Sequence, residues 1–298
     1  MSDECSSGIL PAGAGSAPPR AGGRSPSAPH PADRAGPAAG APADGAADQA
    51  VLFTAPGPLF PGLGRDLYGA CRAFATGWNR VAGALDVWLP LPLAAVVFAP
   101  RDGVDAALIR DPAYAQPALF AYQVALFRVW KAWGVEARAV AGHAGGEITA
   151  AHLAGALDLD DAARLVVARG RLAPDDAPHR TRAASERRFL RVAKACRLGA
   201  PALTLVCAST GERLGPRPGE RTLTPEHFLR QARATPSPAA ARSTLEAAGF
   251  HRTHPCGPDA RTAAPGAEVH SVLTSLGRLH DHGHPISWPR VFAETTPA

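Results

Sequence analysis

The segment around residue 144 constrains the fold more than any other part of the chain. A small apolar run over 137–141 enters Gly142-His143-Ala144-Gly145-Gly146-Glu147, and helical character resumes over 148–157. A strand, a tight glycine turn and a helix in direct succession are the unit of an α/β layered fold. The chain from Val51 onward agrees, because short apolar strand candidates alternate with helical stretches. Residues 51–54 read as a strand running into a Pro/Gly loop over 55–64, and 66–85 read as a helix with Leu67, Ala70, Phe74 and Val81 as its apolar positions. A stronger helix signal spans 117–133, where Leu119, Val124, Phe127 and Trp130 recur near helical spacing and Gly134 follows as a stop.

Beyond the turn, 160–172 opens with acidic residues suited to the positive end of a helix. A polar loop over 174–178 leads to a basic amphipathic segment over 185–198, and 202–208 is the best strand of the C-terminal half. Thr224 before Pro225 and Glu226 is a helix start with its cap ahead of the proline, and a further helix is expected over about 269–282. No internal repeat is evident.

The first fifty residues fit no packed core. About thirty of them are Ala, Gly or Pro, and apolar side chains larger than alanine are almost absent, so nothing there offsets the entropy of ordering. Residues 1–50 are expected to be a disordered leader or linker. They are not a secretory signal, because Asp3 and Glu4 stand where positive charge is required and no apolar stretch follows. The richest apolar run, 88–99, is too short to cross a membrane and holds Pro90 and Pro92, so no membrane association is expected. The cysteines at 5, 71, 196, 207 and 256 form no C-x-x-C pair, which argues against a zinc ribbon or a disulfide framework and fits a reducing cytoplasm. The net charge of +5 rests almost wholly on arginine, since lysine occurs only at Lys131 and Lys194, and no nucleic-acid motif accompanies it. Nucleic acid is therefore not an expected partner.

A G-x-S-x-G elbow holds a serine hydroxyl on a sharp strand-to-helix turn, where backbone N–H groups at the helix start stabilise an oxyanion. Here the corresponding residues are Gly142-His143-Ala144-Gly145-Gly146: the glycines are present and the hydroxyl is not. Taken alone, the motif reads first as a tight strand-to-helix turn without chemistry.

Its surroundings resemble, in collinear order, the acyltransferase domain of modular type I polyketide synthases. Ala115-Gln116-Pro117-Ala118-Leu119-Phe120, Val124-Ala125-Leu126 and Trp133-Gly134-Val135 are similar to the family stretch that leads to its G-H-S-x-G-E elbow. Pro61-Gly62-Leu63-Gly64-Arg65-Asp66-Leu67-Tyr68 is similar to the stretch just after the family's N-terminal P-G-Q-G-type loop. After the elbow, Ala150-Ala151-His152, Ala154-Gly155-Ala156-Leu157 and Asp161-Ala162-Ala163-Arg164 continue the resemblance. Farther on, 201–209 with Thr210-Gly211 resembles the strand ending in S-x-T-G, and Leu223-Thr224-Pro225-Glu226-His227-Phe228 resembles the T-x-E-Y-W region. Ala247-Ala248-Gly249-Phe250 with Cys256-Gly257-Pro258 is similar to the stretch ending in E-V-G-P, and Leu276-Gly277-Arg278-Leu279-His280, Gly283, Pro285 and Trp288 to the linker after the domain.

The resemblance implies an α/β fold: the hydrolase-like large subdomain of the acyltransferase, over 51–268, followed by a linker-like helix and tail over 269–298. The family's ferredoxin-like small subdomain, and with it the histidine base, falls in an internal deletion near 172–187. Ala144 stands at the nucleophile position and Pro56 at the oxyanion-loop glutamine, with His143 and Gly145 completing the elbow. A methyl group cannot attack a thioester, and proline lacks the backbone N–H that the oxyanion would need. Arg169 matches the arginine that grips the carboxylate of malonyl-type substrates. No catalytic set is intact, no cofactor or metal is implied, and the expectation is an inactive family member. Its implied partners are an acyl carrier protein, polyketide synthase subunits or an acyl-CoA. The basic residues Arg187, Arg188, Arg191, Lys194 and Arg197 read either as a solvated helix face or as a landing patch for an acidic carrier protein. His280, His282 and His284 have a chelating spacing but no accompanying carboxylate or cysteine, so no metal is assigned to them.

Overall fold

A computed structural model of the chain describes residues 49–54, 59–234, 237–258 and 266–295. The expected leader lies outside them except for Gln49 and Ala50. Those two open β1 (Gln49–Phe53), which corrects the leader's boundary: both are buried, and the Gln49 amide oxygen faces His254 Nε2 at 3.0 Å.

Four parallel strands make the sheet: β1, β2 (Ala139–Gly142), β3 (Thr204–Cys207) and β5 (Arg252–Cys256). The short β4 (Arg213–Leu214) adds antiparallel to β3, giving the order β4-β3-β2-β1-β5. Phe53 pairs with Gly142 on one side and Cys256 on the other, and Gly142 pairs with Cys207, so the carboxyl ends of the four parallel strands form one row. Strand side chains alternate between faces. Ala50, Ala139, Ala141, Val206 and Ala208 form a thin, small-residue face covered by Ala241 and Leu245 of α9 (Pro238–Ala247). Val51, Phe53, Val140, Leu205 and Cys207 point into the main core.

That core is built around α4 (Pro112–Ala132), whose residues 117–126 are all buried. In place of the apolar stripe expected there, this stretch is enclosed on all sides, while Phe127 beyond it is only partly buried. It starts earlier than the spacing predicts, because Asp111 caps it by accepting from Ala113 N at 2.9 Å and Pro112 takes the first position. The helix expected over 66–85 is two, α1 (Arg65–Ala70) and α2 (Arg72–Asp86), separated by Cys71 in extended backbone. Phe74 and Trp78 of α2 stack with centroids 6.1 Å apart, and Phe74 meets Tyr122 of α4 edge-on at 5.7 Å. A short helix, α3 (Leu93–Val97), occupies the proline-flanked apolar run.

After the elbow come α5 (Gly146–Leu153) and α6 (Leu159–Gly170), the latter capped by Asp158. A short loop joins α6 directly to α7 (His179–Ala195), so no second sheet is inserted there among the described residues. Helix α8 (Pro225–Arg233) starts at the Thr224 cap as expected. The C-terminal helices α10 (Ala267–Asp281) and α11 (Trp288–Thr295) are part of the core, through Val272, Leu276, Leu279 and Val291. No helix of the described residues is long and apolar enough to cross a membrane.

Candidate active site at the elbow

The site lies just past the carboxyl end of β2. A Cβ on Gly142 would fall 2.3 Å from Glu147 Cα, and one on Gly146 would fall 2.4 Å from the Phe53 carbonyl oxygen. Only glycine lets β1, β2 and α5 approach this closely. His143 N donates to Phe53 O at 2.9 Å and Gly146 N to His143 O at 3.0 Å, closing the turn. At its tip Ala144 has φ 51, the one positive value for a non-glycine residue among the described residues. A Cβ in that conformation costs about 1 kcal/mol. The tip of the turn therefore carries backbone strain, and the side chain held there is a methyl.

Gln231 of α8 stands over the tip. Its Nε2 donates to Ala144 O at 2.8 Å and reaches Ser209 Oγ at 3.5 Å, while its Oε1 accepts from Arg169 Nη1 at 2.7 Å. Arg169 therefore does come to the elbow, from the last turn of α6. Burial lowers its guanidinium to about 10, opposed by the charge of Glu147, so it is protonated near neutral pH. Its Nε is buried with no hydrogen-bond partner among the described residues. His143 is half-buried, and burial lowers its imidazole below the ordinary value. Gly145 is the N-cap residue of α5, and a Cβ there would fall 2.3 Å from Gln116 Oε1. Gln116 and Gln231 are site residues that the sequence does not single out. Gln116 lies within the family-like stretch over 115–120, whereas Gln231 carries no local signal. Pro56 lies outside the described residues.

Behind the elbow, α5, β3 and α8 bring together a second group. Glu147, Cys207 and His227 each offer a ligand atom, all within 4.8 Å of one another. His227 Nε2 lies 3.4 Å from Glu147 Oε2, with both side chains 2% exposed, and Glu147 Oε1 has no hydrogen-bond partner among the described residues. Burial, with Glu147 adding to it, pushes the Cys207 thiol up to about 11. The histidines of the C-terminal region do not converge in this way: His280 meets Trp288 edge-on, His282 Nδ1 faces its own helix at Arg278 O, and His284 packs against His254.

At the expected internal deletion, Asp175, His179, Arg182, Glu186 and Arg233 line an open cavity of about 310 Å³. Helix α7 buries Phe189 and Ala193 and exposes Arg187, Arg188, Arg191 and Lys194; just past it Cys196 is buried and Arg197 exposed. Lys194 pairs with Glu226 at 3.2 Å and Arg197 with Asp158 at 3.2 Å, leaving the three arginines at 187, 188 and 191 without ion-pair partners among the described residues.

Residues 52–214, more than half of the chain, match the acyl transferase domain family. The chain is 47% identical over 123 residues to the PKS-NRPS hybrid synthetase acdB of Aspergillus candidus, an alignment covering 41% of this chain and 5% of that protein. It thus spans a small part of the curated relatives it matches. Among solved structures, the acyltransferase domain from the second module of the salinomycin polyketide synthase superposes with TM-score 0.70 at 24% identity, covering 82% of this chain and 76% of that one. A malonyl-transacylase in complex with its type II PKS acyl-carrier protein gives TM-score 0.59 at 18% identity, covering 78% of this chain and all of that one. At these identities the structural likeness speaks to the fold.

Proposed function

From the premise that the chain belongs to the acyl transferase domain family, in the form found in modular polyketide synthases, we propose that it is a catalytically silent member that works by binding. The observation that carries this reading is Ala144 at φ 51. In the usual reaction a serine oxygen attacks the thioester carbon, the coenzyme A thiolate leaves, and a base takes the serine proton. The Ala144 methyl has neither a lone pair nor a transferable proton, so no acyl-enzyme forms there. Gln231 also satisfies the Ala144 carbonyl and occupies one guanidinium nitrogen of Arg169.

What remains is recognition. The protonated Arg169 guanidinium beside the turn is the group suited to a carboxylate, and the exposed arginines 187, 188 and 191 offer a positive face to an acidic acyl carrier protein or synthase subunit. The domain division is then 49–268 as the acyl transferase-like body, with 269–298 as linker-like helix and tail. The cytoplasm is the setting that suits such partners. A residual malonyl- or acyl-CoA transfer to a carrier protein is the alternative reading, and it requires some other side chain to carry the acyl group.

Incubation with isotopically heavy malonyl-CoA followed by intact-protein and peptide mass spectrometry separates the two. The unmodified chain is expected to keep its mass, and a covalent acyl adduct on any residue would overturn the silent reading. Ala144→Ser combined with Pro56→Gln tests the pocket itself. Acyl loading of that variant would show that the substrate site persists and that the hydroxyl was the missing part. Charge reversal at Arg187, Arg188 and Arg191 is expected to abolish carrier-protein binding; unchanged binding would remove α7 from the interface.

A further inference from the structure

We propose that Glu147, Cys207 and His227 form a buried site for a divalent transition-metal ion of the zinc class, which ties the elbow helix to β3 and α8. This goes beyond the acyl transferase reading and does not depend on it.

The donors come from three elements far apart in sequence, yet their ligand atoms all lie within 4.8 Å of one another. The 3.4 Å between His227 Nε2 and Glu147 Oε2 matches the edge of a tetrahedral zinc site, about 3.5 Å for bonds of roughly 2.0–2.3 Å. One thiol, one imidazole and one carboxylate suit zinc or cobalt and are a poor set for magnesium or calcium, which take oxygen ligands. The described residues supply three donors, so the fourth position falls to water.

Without an ion the Cys207 thiol hydrogen-bonds the Glu147 carboxylate, but the rest of the group is incompletely satisfied. The 3.4 Å His227 contact is long for a hydrogen bond, and Glu147 Oε1 is buried with no partner among the described residues. An orphaned carboxylate oxygen inside a protein carries a desolvation cost that a coordinated cation removes. The third ligand also arises where the resemblance fails, since His227 stands at the tyrosine position of the T-x-E-Y-W region.

The test uses the full chain, expressed in medium supplemented with zinc or with cobalt so that the ion enters as the chain folds. Elemental analysis after gel filtration is expected to give close to one ion per chain. The cobalt form is expected to show a thiolate-to-cobalt charge-transfer band in the near ultraviolet and tetrahedral d–d bands in the visible. Cys207→Ser is expected to remove the charge-transfer band and weaken the apparent affinity by at least about 100-fold. Circular dichroism and thermal melting check that this variant is folded. A folded wild-type chain that retains no metal and shows no thiolate band overturns the proposal, and so does a band that persists in Cys207→Ser. Acyl-adduct mass spectrometry is blind to this outcome, so failure here and failure of the silent-enzyme reading are separately visible.

Discussion

Replacing Gly146 by alanine tests whether the elbow is a point of forced backbone approach. Alanine is normally the better helix residue, so propensity alone predicts a gain of about 1 kcal/mol at this first position of α5. The structure predicts the opposite. The new Cβ would lie 2.4 Å from Phe53 O and 2.9 Å from Phe53 C and Cβ, whereas ordinary contact begins near 3.4 Å. Relief takes about 1 Å of movement, and the carbonyl cannot supply it without stretching its 2.9 Å bond from His143 N and the pairing of β1 with both neighbours. Overpacking of this kind costs roughly 1–3 kcal/mol, the strained hydrogen bond about 1 more, and the propensity gain offsets about 1. The net loss of roughly 1–3 kcal/mol should lower the melting midpoint by about 2–12 °C for a chain of this size. Gly277→Ala is the matched control, because that residue lies inside α10 with nothing within 4 Å of its added Cβ. It should gain about 0.5–1 kcal/mol. Circular dichroism melts of both variants at one scan rate measure the difference. A Gly146→Ala midpoint at or above wild type would refute the close-approach reasoning.

Two further outcomes rest on single interactions. Burial, reinforced by Asp66 and opposed by the Gly64 N–H, raises Glu268 to about 7. Between its ordinary value and that one the folded state holds more protons than the unfolded state. The contribution is therefore fully present at low pH and is lost as pH rises through about 7, by at most roughly 3 kcal/mol. Glu268→Gln should flatten the melting midpoint against pH over about pH 5 to 8, and an unchanged profile would assign the dependence elsewhere. Thr224→Ala removes the cap that accepts from His227 N at 3.3 Å and should cost about 1 kcal/mol in urea unfolding. A loss below a few tenths would mean that the Thr224 backbone carbonyl, at 3.1 Å from the same N–H, suffices.

The elements that can be read in the sequence are those whose signal is local. The elbow follows from glycine spacing, α8 from Thr224-Pro225, and β3 from its apolar run. The break at Cys71 cannot be read this way, because the groups that start α1 and restart the helix as α2 are remote. Glu294 of α11 accepts from Ala73 N at 3.1 Å, and Glu268 of α10 accepts from Gly64 N at 2.6 Å and Asp66 N at 3.1 Å. Edge strand β5 is hidden for a different reason. Its residues Arg252-Thr253-His254-Pro255-Cys256 bury only the cysteine and include a proline, so no alternation marks them, and proline is tolerated only because the strand is an edge. Arg169 could be placed by resemblance, but its partner Gln231 could not. The Glu147, Cys207 and His227 group likewise exists only once α5, β3 and α8 are assembled.

The position of β1 also bears on when the chain can fold during synthesis. This strand comes first among the described elements, yet one of its two neighbours is the last of the described strands, with Gln49 opposite Arg252. Closing so long a loop carries an entropic penalty that is repaid only after the residues through Cys256 have left the ribosome, which favours slow assembly of this sheet. Until then the nascent chain carries a hydrophobic strand with an open edge. Pausing before residue 252 should therefore expose an aggregation-prone intermediate, whereas pausing after it should not.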